Sequence, residues 1–296
     1  MKIGITGVNG FIGSVTAERL LRAGHAVRGL VRTPGSSATR TPIETVKGDL
    51  TDPRSLEQFA AGLEAVIHCA ARTSEGAPDA RQSQAVNVDG TSALLAACRA
   101  AGCRRFIHIS SQSARPENPT AYGHTKWLSE ELVRSSGFSY TILRPSTVYG
   151  PGTRGLFWKM VHLTKSVRII PVIGRGLEQF RPVHVDDIAF AIEACLQGPA
   201  SLQHTYDLGG ADVVTFGGFV QAIADCLGVS VRQIHLPVWA CRLAAQLLSW
   251  MPSPPMTIDN IVGMEQLQSC DNGPAERDFG YKPRGLAEGL GQTLKG

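Results

Sequence analysis

The sequence predicts an α/β fold in which a doubly wound parallel sheet carries a smaller lobe of mixed α/β structure. In the first 150 residues, short apolar runs alternate with longer segments of helical periodicity, which is typical of a parallel sheet covered by helices on both faces. A glycine-rich turn separates the first apolar run from the first helical segment. Beyond Pro151 the composition changes, because glycine, proline and arginine become frequent and apolar runs become fewer.

The strands predicted for the sheet are short apolar runs. They are Lys2–Thr6, Ala26–Val31, Thr45–Gly48, Ala65–Cys69, Arg105–Ser110 and Tyr140–Leu143. The helices predicted between them are Phe11–Ala23, Pro53–Ala60, Ser83–Ala101 and Ala121–Ser136. Right-handed crossovers would wind these units into a single sheet.

The second part of the chain is predicted to be helices separated by loops. These helices are Leu156–Thr164, Asp186–Leu196, Phe216–Leu227 and Val238–Trp250. The last of them carries Trp239, Leu243 and Leu247 along one face, which predicts packing against the core or over a bound substrate. Contact of this face with a membrane is the less favoured alternative.

The composition argues against several classes of protein. The net charge of +4 is mild and the basic residues are scattered, so nucleic-acid binding is not indicated. Seven cysteines without a Cys-x-x-Cys pair indicate buried thiols rather than disulfides or a metal site. No apolar segment has the roughly 20 residues of a membrane span, and residues 2–5 are too short a run for a signal peptide. We expect a cytoplasmic protein without a metal.

Three glycines connect the first predicted strand to the first helix. Gly7 permits a tight turn, Gly10 lets the backbone approach a pyrophosphate, and Gly13 lets the helix pack close to the sheet. Free N–H groups at the start of that helix would hold the phosphates. The pattern predicts an NAD(P)-binding Rossmann domain over residues 1–150. Residues 151–296 would mostly form a substrate-binding lobe, with some return of the chain to the Rossmann part.

The residue at the end of the second strand indicates which dinucleotide binds. An NAD site usually has an acid there, which accepts hydrogen bonds from the ribose 2′-hydroxyl. This chain has Arg32 instead. A guanidinium group can pair with a 2′-phosphate, so NADP is preferred over NAD.

A tyrosine and a lysine form the predicted chemical centre. Tyr122 and Lys126 are four residues apart and would project from one face of a helix. A nearby ammonium group favours the phenolate, so Tyr122 could transfer a proton as hydride moves to or from the cofactor. Ser111 follows an apolar strand at the sheet edge and could hold the substrate oxygen. Ser110 and Ser113 are alternatives for that role.

The order and spacing of these groups resemble the extended short-chain dehydrogenase/reductase family, also called the NAD-dependent epimerase/dehydratase family, over nearly the whole chain. Seven ordered segments match its motifs: Thr6–Gly13, Gly48–Leu50, His68–Ala71, Asn87–Thr91, Ser110–Ser111 with Tyr122, Leu143–Gly152 and Arg181–Asp187. The resemblance implies Ser111, Tyr122 and Lys126 as the catalytic set. With Arg32 added, the implied cofactor contacts are Gly7, Asn9, Gly10, Phe11, Ile12, Arg32, Asp49, Leu50, Cys69, Ala70, Ala71, Asn87, Tyr122, Lys126, Pro145, Thr147 and Val148. The implied substrate contacts are Thr73, Ser111, Gln112, Tyr122 and Arg181.

The segment Tyr149–Asp187 resembles the nucleotide-sugar branch of that family, in which this stretch meets a nucleoside diphosphate. Arg154, Arg175 and Arg181 would suit its phosphates. The first hypothesis is therefore an oxidoreductase or epimerase acting at a secondary alcohol or ketone of a nucleotide-activated sugar.

Two alternatives remain open. An NADPH-dependent carbonyl reductase of a non-sugar substrate, of the dihydroflavonol or hydroxysteroid type, is favoured by Arg32 and by the apolar face at Trp239. A non-catalytic NADP-sensing regulator is disfavoured by the Tyr122–Lys126 pair. The resemblance also implies a homodimer that forms through Ser83–Ala101 and Ala121–Ser136.

Overall fold

A computed structural model describes residues 1–33, 42–73, 79–153, 156–248, 250–251, 257–265 and 270–295. Within these ranges the main body is one sheet of β1 (Lys2–Thr6), β2 (Ala26–Val31), β3 (Glu44–Lys47), β4 (Ala65–His68), β5 (Arg105–Ile109), β6 (Ser139–Pro145) and β11 (His204–Leu208). The strands lie in the order β11-β6-β5-β4-β1-β2-β3, and every neighbouring pair is parallel. The predicted doubly wound α/β (Rossmann) sheet is confirmed.

Helices cover both faces of this sheet. One face carries α1 (Phe11–Arg22) and α7 (Val185–Gln197), and the other carries α2 (Pro53–Ala60), α4 (Gly90–Ala100) and α5 (Ala121–Arg134). Adjacent strand residues enter different cores: Ile67 packs with α1 and α7, whereas Val66 packs with α2 and α4. The central strands β1, β4 and β5 are buried on both faces and are rich in apolar residues.

The smaller lobe combines helices with two-stranded ladders. Its strands are β7 (Val148–Tyr149) paired with β10 (Val183–His184), β8 (Ile169–Ile173) with β13 (Arg232–Leu236), and β9 (Gln179–Phe180) with β12 (Val214–Thr215). Its helices include α6 (Leu156–Ser166), α8 (Phe216–Leu227), α9 (Val238–Leu247), α10 (Ile258–Glu265) and α12 (Leu286–Lys295), while α11 (Gly273–Phe279) packs beside β11. Tyr149, Phe157 and Phe219 form the centre of the lobe core.

Several elements differ from the sequence-based expectation. The predicted helix Ser83–Ala101 consists of α3 (Ala80–Gln84), a π-helical turn over Ala85–Asp89, and α4. β6 is longer than the predicted Tyr140–Leu143. β11 and the last three helices are not predicted, since their short segments mix polar and apolar residues.

The apolar face of α9 contradicts its predicted role. The helix buries Cys241 and Ala245 instead, which pack on Ile261 of α10. Trp239, Leu243 and Leu247 are 71%, 49% and 66% exposed. The face predicted to pack on the core or over a substrate therefore points to solvent.

In the part of the chain that the structure describes, no helix combines the length and apolar character needed to cross a membrane. The predicted homodimer through the helices around α4 and α5 stays a prediction.

The inner face of α5 buries a charged cluster. Glu130 is completely buried, and its carboxylate accepts hydrogen bonds from Arg144 (2.8 and 2.6 Å), from Arg134 (2.6 Å) and from the Ser110 hydroxyl. Two guanidinium groups on one carboxylate tie α5 to β6, and Ser110 adds the end of β5.

We expect Glu130→Ala to lower the free energy of unfolding by roughly 3–5 kcal/mol, because two partly buried arginines lose their counter-ion. Glu131→Ala is the matched control: Glu131 is exposed, pairs with Arg134 on the same helix, and should cost less than about 1 kcal/mol. Urea unfolding of both variants measures the difference. Equal losses in the two variants would contradict a structural role for the buried cluster.

Candidate active site

The predicted site residues converge on one edge of the sheet, where the parallel strands have their carboxyl ends. The turn at Gly7–Ile12 follows β1, Arg32 follows β2, Asp49 and Leu50 follow β3, Cys69–Thr73 follow β4, and Ser111 and Gln112 follow β5. Pro145 ends β6, and Thr147 and Val148 follow it. Open parallel sheets bind ligands at this edge.

The glycine turn forms a cradle without side chains. Gly7 has φ +69°, a left-handed conformation that favours glycine, and the Gly10 N–H donates to the Gly7 carbonyl at 2.8 Å. A Cβ on Gly13 would overlap that same carbonyl oxygen. Gly10 is exposed at the start of α1, and no side chain caps the helix. Free N–H groups at an uncapped helix start fit a dinucleotide pyrophosphate.

A chain of hydrogen bonds connects this turn to the next strand. The Thr91 hydroxyl donates to the Asn87 carbonyl (2.6 Å), so it accepts from His68 Nε2 (2.9 Å). His68 Nδ1 then accepts from the Thr6 hydroxyl (2.7 Å), which itself accepts from the Ala70 N–H (3.3 Å). Burial lowers the pKa of His68 to about 3, so the ring is neutral and suits this arrangement.

The Asn87 side chain positions the loop after β4. Its amide oxygen accepts from the Arg72 N–H at 2.7 Å, and its Nδ2 donates to the Arg72 carbonyl and to the Thr125 hydroxyl, both at 3.0 Å. Asn87 is predicted to contact the cofactor, but its hydrogen-bonding groups hold this loop against α5. It therefore shapes the edge on which Ala70 and Ala71 lie.

The candidate proton-transfer residue lies in the first turn of α5. Thr120 caps this helix, since its hydroxyl accepts from the Gly123 N–H at 3.1 Å. Tyr122 interacts with the Ser111 side chain, which opposes the rise that burial causes in the pKa of the phenol, and the Ser111 hydroxyl accepts from the Ser113 N–H at 3.2 Å. Ser110 instead turns to Glu130 on the inner side of the helix. Among the three serines considered, Ser111 is the one whose side chain meets the phenol.

Lys126 lies deep beneath Tyr122. It is 2% exposed, and Nζ donates to the Ile109 carbonyl at 2.7 Å and lies 3.3 Å from His108 Nε2. Burial lowers the pKa of Lys126 to about 8, and burial likewise holds the pKa of His108 well below its ordinary value. A neutral His108 can share the same pocket with an ammonium group.

The structure does not show the effect that Lys126 is predicted to have on the pKa of Tyr122. The sequence predicts that the lysine lowers the phenol pKa. Burial raises the pKa of Tyr122, and the hydrogen bond to Ser111 opposes that rise. The Lys126 ammonium is directed to the Ile109 carbonyl instead. In this state the phenol is held protonated, which suits donation of a proton.

Arg32 and Asp49 flank the far end of the cradle. Arg32 is exposed where β2 ends. Asp49 accepts from the Thr51 N–H (3.0 Å) and hydroxyl (2.7 Å). The hydrogen bond from the Thr51 backbone, and more weakly the charge of Arg32, lowers the pKa of Asp49. A cation therefore lies close to the acid predicted to face the adenine.

The other side of the site is built from late segments of the chain. The Gln112 side chain hydrogen-bonds Cys270, and burial raises the pKa of that thiol to about 11. Arg181 lies beside Cys270, and its Nη1 donates to the Gly210 carbonyl at 3.3 Å. Arg175 is exposed, Thr73 is exposed, and Arg154 lies outside the described residues. Of the three predicted phosphate ligands, Arg181 is the one that the structure places near a predicted substrate contact, because Arg181 and Gln112 both lie beside Cys270.

Sequence reasoning assigns no role to His108, Glu130 or Arg144, which surround Lys126 and α5. Lys126, Glu130 and Arg134 are spaced by four residues on one helix, and this spacing is the signal that could have identified the cluster. His184 has a structural role in the lobe: it caps α7 by accepting from the Asp186 N–H at 3.3 Å.

Comparisons with known proteins agree with this geometry. The model of the NAD dependent epimerase/dehydratase family matches residues 3–209. A ceramide reductase of Caulobacter vibrioides is 35% identical over 79% of this chain and 73% of that protein. A 2-alkyl-3-oxoalkanoate reductase of Stenotrophomonas maltophilia is 26% identical over 98% and 97%. The structure of a Thermotoga maritima UDP-glucose 4-epimerase with UDP-glucose is 20% identical over 100% and 98%, with a TM-score of 0.80, and shares the fold.

Lys126→Met should raise the free energy of unfolding at pH 7, by on the order of 3 kcal/mol at most. The folded-state pKa of about 8 lies below the ordinary 10.5, so at pH 7 the charged lysine is buried at a cost. Between pH 8 and 10.5 the folded protein loses this proton first, so the wild type gains stability and the difference shrinks.

Urea unfolding at pH 7 and near pH 10 measures both effects, with Lys159→Met as the exposed control. A variant less stable than the wild type at pH 7 would mean that the hydrogen bond to Ile109 outweighs the burial of the charge.

Proposed function

The chain belongs to the NAD-dependent epimerase/dehydratase family, and from this premise we propose that it is an NADPH-dependent reductase of a lipophilic ketone, with Tyr122 as the proton donor. As a family member it is an NAD(P)-dependent oxidoreductase or epimerase of the extended short-chain dehydrogenase type. The observation that carries the proposal is a protonated Tyr122 phenol that interacts with the Ser111 side chain at the ligand-binding edge of the sheet.

The residues of this chain supply binding and proton transfer. The cofactor, when bound, supplies the hydride. Ser111 would orient the substrate oxygen, and the Tyr122 hydroxyl would donate its proton to that oxygen as the alcohol forms. Stabilisation of the resulting phenolate by Lys126 would require the ammonium to turn from the Ile109 carbonyl towards Tyr122, one helical turn away. The neutral His108 and the Ile109 carbonyl hold the ammonium in place.

A lipophilic substrate is supported by two relatives and by one surface. The names of those relatives specify a ceramide and a 2-alkyl-3-oxoalkanoate, both of which carry alkyl chains. The lobe of this chain also leaves large apolar side chains of α9 in solvent, and such exposed patches mark sites of contact with apolar partners or ligands.

A nucleotide-activated sugar is the second candidate, because of Arg181. Its Nε is buried and has no hydrogen-bond partner among the described residues. A buried guanidinium N–H without a partner favours an anionic ligand. The solved structure of UDP-glucose 4-epimerase with UDP-glucose shows that this fold can hold such a molecule.

NADP as the preferred cofactor rests on Arg32. The side chain is exposed at the end of β2, where an acid would otherwise receive the ribose 2′-hydroxyl. Its charge reaches Asp49 and contributes to the lowered pKa of that carboxyl, so a guanidinium group is present at this end of the cradle.

A panel of ketones tests the proposal. With NADPH consumption as the readout, long-chain 3-oxo esters and ketosteroids should be reduced, and Tyr122→Phe should lower kcat about 10²- to 10⁴-fold while NADPH still binds. Tyr140→Phe is the matched control, because Tyr140 lies near the amino end of β6, away from the site.

Two results would count against the proposal. Full turnover by Tyr122→Phe would remove the tyrosine from the chemistry. Turnover or isomerisation of UDP-sugars, with a thermal shift on adding UDP and no reduction of lipophilic ketones, would favour the nucleotide-sugar candidate.

Arg32→Ala should weaken NADPH binding on the order of tenfold to a hundredfold and leave NADH binding almost unchanged, because a charged hydrogen bond to the 2′-phosphate is lost. Titration of both cofactors measures this, with Arg22→Ala, at the far end of α1, as the control. An equal loss for both cofactors would contradict a role in selecting NADP.

A further inference from the structure

Apolar side chains are exposed on α9 and on the strand β13 that immediately precedes it along the chain. Along α9 and just after it, Trp239, Leu243, Leu247 and Trp250 are spaced by four, four and three residues, and Trp250 is 79% exposed. The spacing places Trp239, Leu243 and Leu247 on one side of α9. Trp250 adds a second exposed tryptophan just beyond the helix.

The outer face of the ladder formed by β8 and β13 also carries exposed apolar side chains. Pro171 pairs with Ile234, and Ile173 pairs with Leu236, immediately before α9 begins. Ile170 and Val172 point inward to the lobe core, so Ile169 and Pro171 point outward, as do Ile234 and Leu236. We call the eight exposed residues the apolar surface: Ile169, Pro171, Ile234, Leu236, Trp239, Leu243, Leu247 and Trp250.

The segments that carry the apolar surface are basic. Residues 156–177 contain four lysines or arginines and residues 226–258 contain two, and neither segment contains an aspartate or glutamate. Together the two segments carry six basic residues and no acidic one, a positive charge larger than the net charge of +4 of the whole chain. Lys165, Arg168, Arg175 and Arg232 are exposed, and the Arg232 N–H donates to the Arg168 carbonyl at 2.8 Å.

We propose that the apolar surface docks on a membrane that contains anionic lipid, with α9 lying in the plane of the interface. Tryptophan prefers the boundary between acyl chains and headgroups, while leucine and isoleucine enter the acyl region. Basic residues around such a face attract anionic headgroups. The basic charge of these segments favours an anionic lipid surface over a second apolar protein surface, which would offer that charge no complementary partner.

Docking of this kind places the enzyme beside lipophilic molecules, but the inference does not depend on the proposed substrate. Helices in this geometry are held by burial of their apolar face together with charge attraction. Both contributions are therefore required, and each can be removed separately.

Vesicle flotation of the full chain tests the proposal. Wild type should float with vesicles of phosphatidylcholine and phosphatidylglycerol, and less with phosphatidylcholine alone. Leu243→Asp should weaken partitioning by about tenfold or more. Arg232→Glu should weaken it by about fivefold or more on the anionic vesicles. Because both side chains are exposed, circular dichroism and melting should be unchanged.

Matched controls lie elsewhere. Arg54→Glu makes the same charge change on α2, and Val213→Asp makes an apolar-to-acid change at another exposed site of the lobe. Both should float like wild type. The proposal is overturned if wild type floats with neither vesicle, or if all variants float equally.

Sedimentation equilibrium tests whether a second copy of the chain, rather than a membrane, covers the apolar surface. A wild-type dimer that Leu243→Asp converts to monomers, without flotation, would make the apolar surface an interface between copies and would overturn membrane docking. None of these measurements uses turnover, so the proposed reaction and the proposed docking can fail independently.

Discussion

The polar inner face of α5 is the constraint on which the candidate site depends. Lys126, Ser129 and Glu130 are all buried on it. An ammonium and a carboxylate tolerate burial only with fixed partners, and these come from different strands: Lys126 uses the end of β5, and Glu130 uses Arg144 on β6. A single orientation of α5 about its axis lets Lys126 and Glu130 both reach their partners. The same orientation fixes the position of Tyr122, which lies one turn before Lys126.

Neutral histidines make this arrangement compatible with a cation. His68 and His108 stand side by side with ring centroids 5.3 Å apart, and burial keeps both uncharged. His68 uses its two nitrogens to join β1 to the helix after β4. His108 lies against Lys126. These buried polar side chains thus hold the glycine turn, the loop after β4 and α5 in fixed positions relative to one another. Their burial costs stability that apolar side chains in the same places would not cost.

The sheet and the residues along its edge could be predicted because buried parallel strands carry a local signal, and each motif follows a recognisable strand. β11 could not, since His204–Leu208 mixes polar and apolar residues and joins the sheet only through pairing with β6. The outward direction of Trp239 was also out of reach, because helical periodicity identifies a shared face but not what it contacts. Helical spacing could have identified Arg134 as a partner of Glu130, but no helical spacing reveals Arg144 and Ser110, which lie on other elements.

The late arrival of β11 has a consequence for biosynthesis. β6 ends at Pro145, and the strand that covers its free edge begins only at His204. At a translation rate of about 5–20 residues per second, synthesis of the chain between these two strands takes several seconds. During that time the backbone groups at the free edge of β6 are unpaired. The nascent chain is open to wrong strand partners for this interval. The yield of native protein therefore depends on how quickly the ribosome passes through the lobe, and chaperones that shield strand edges act in that window.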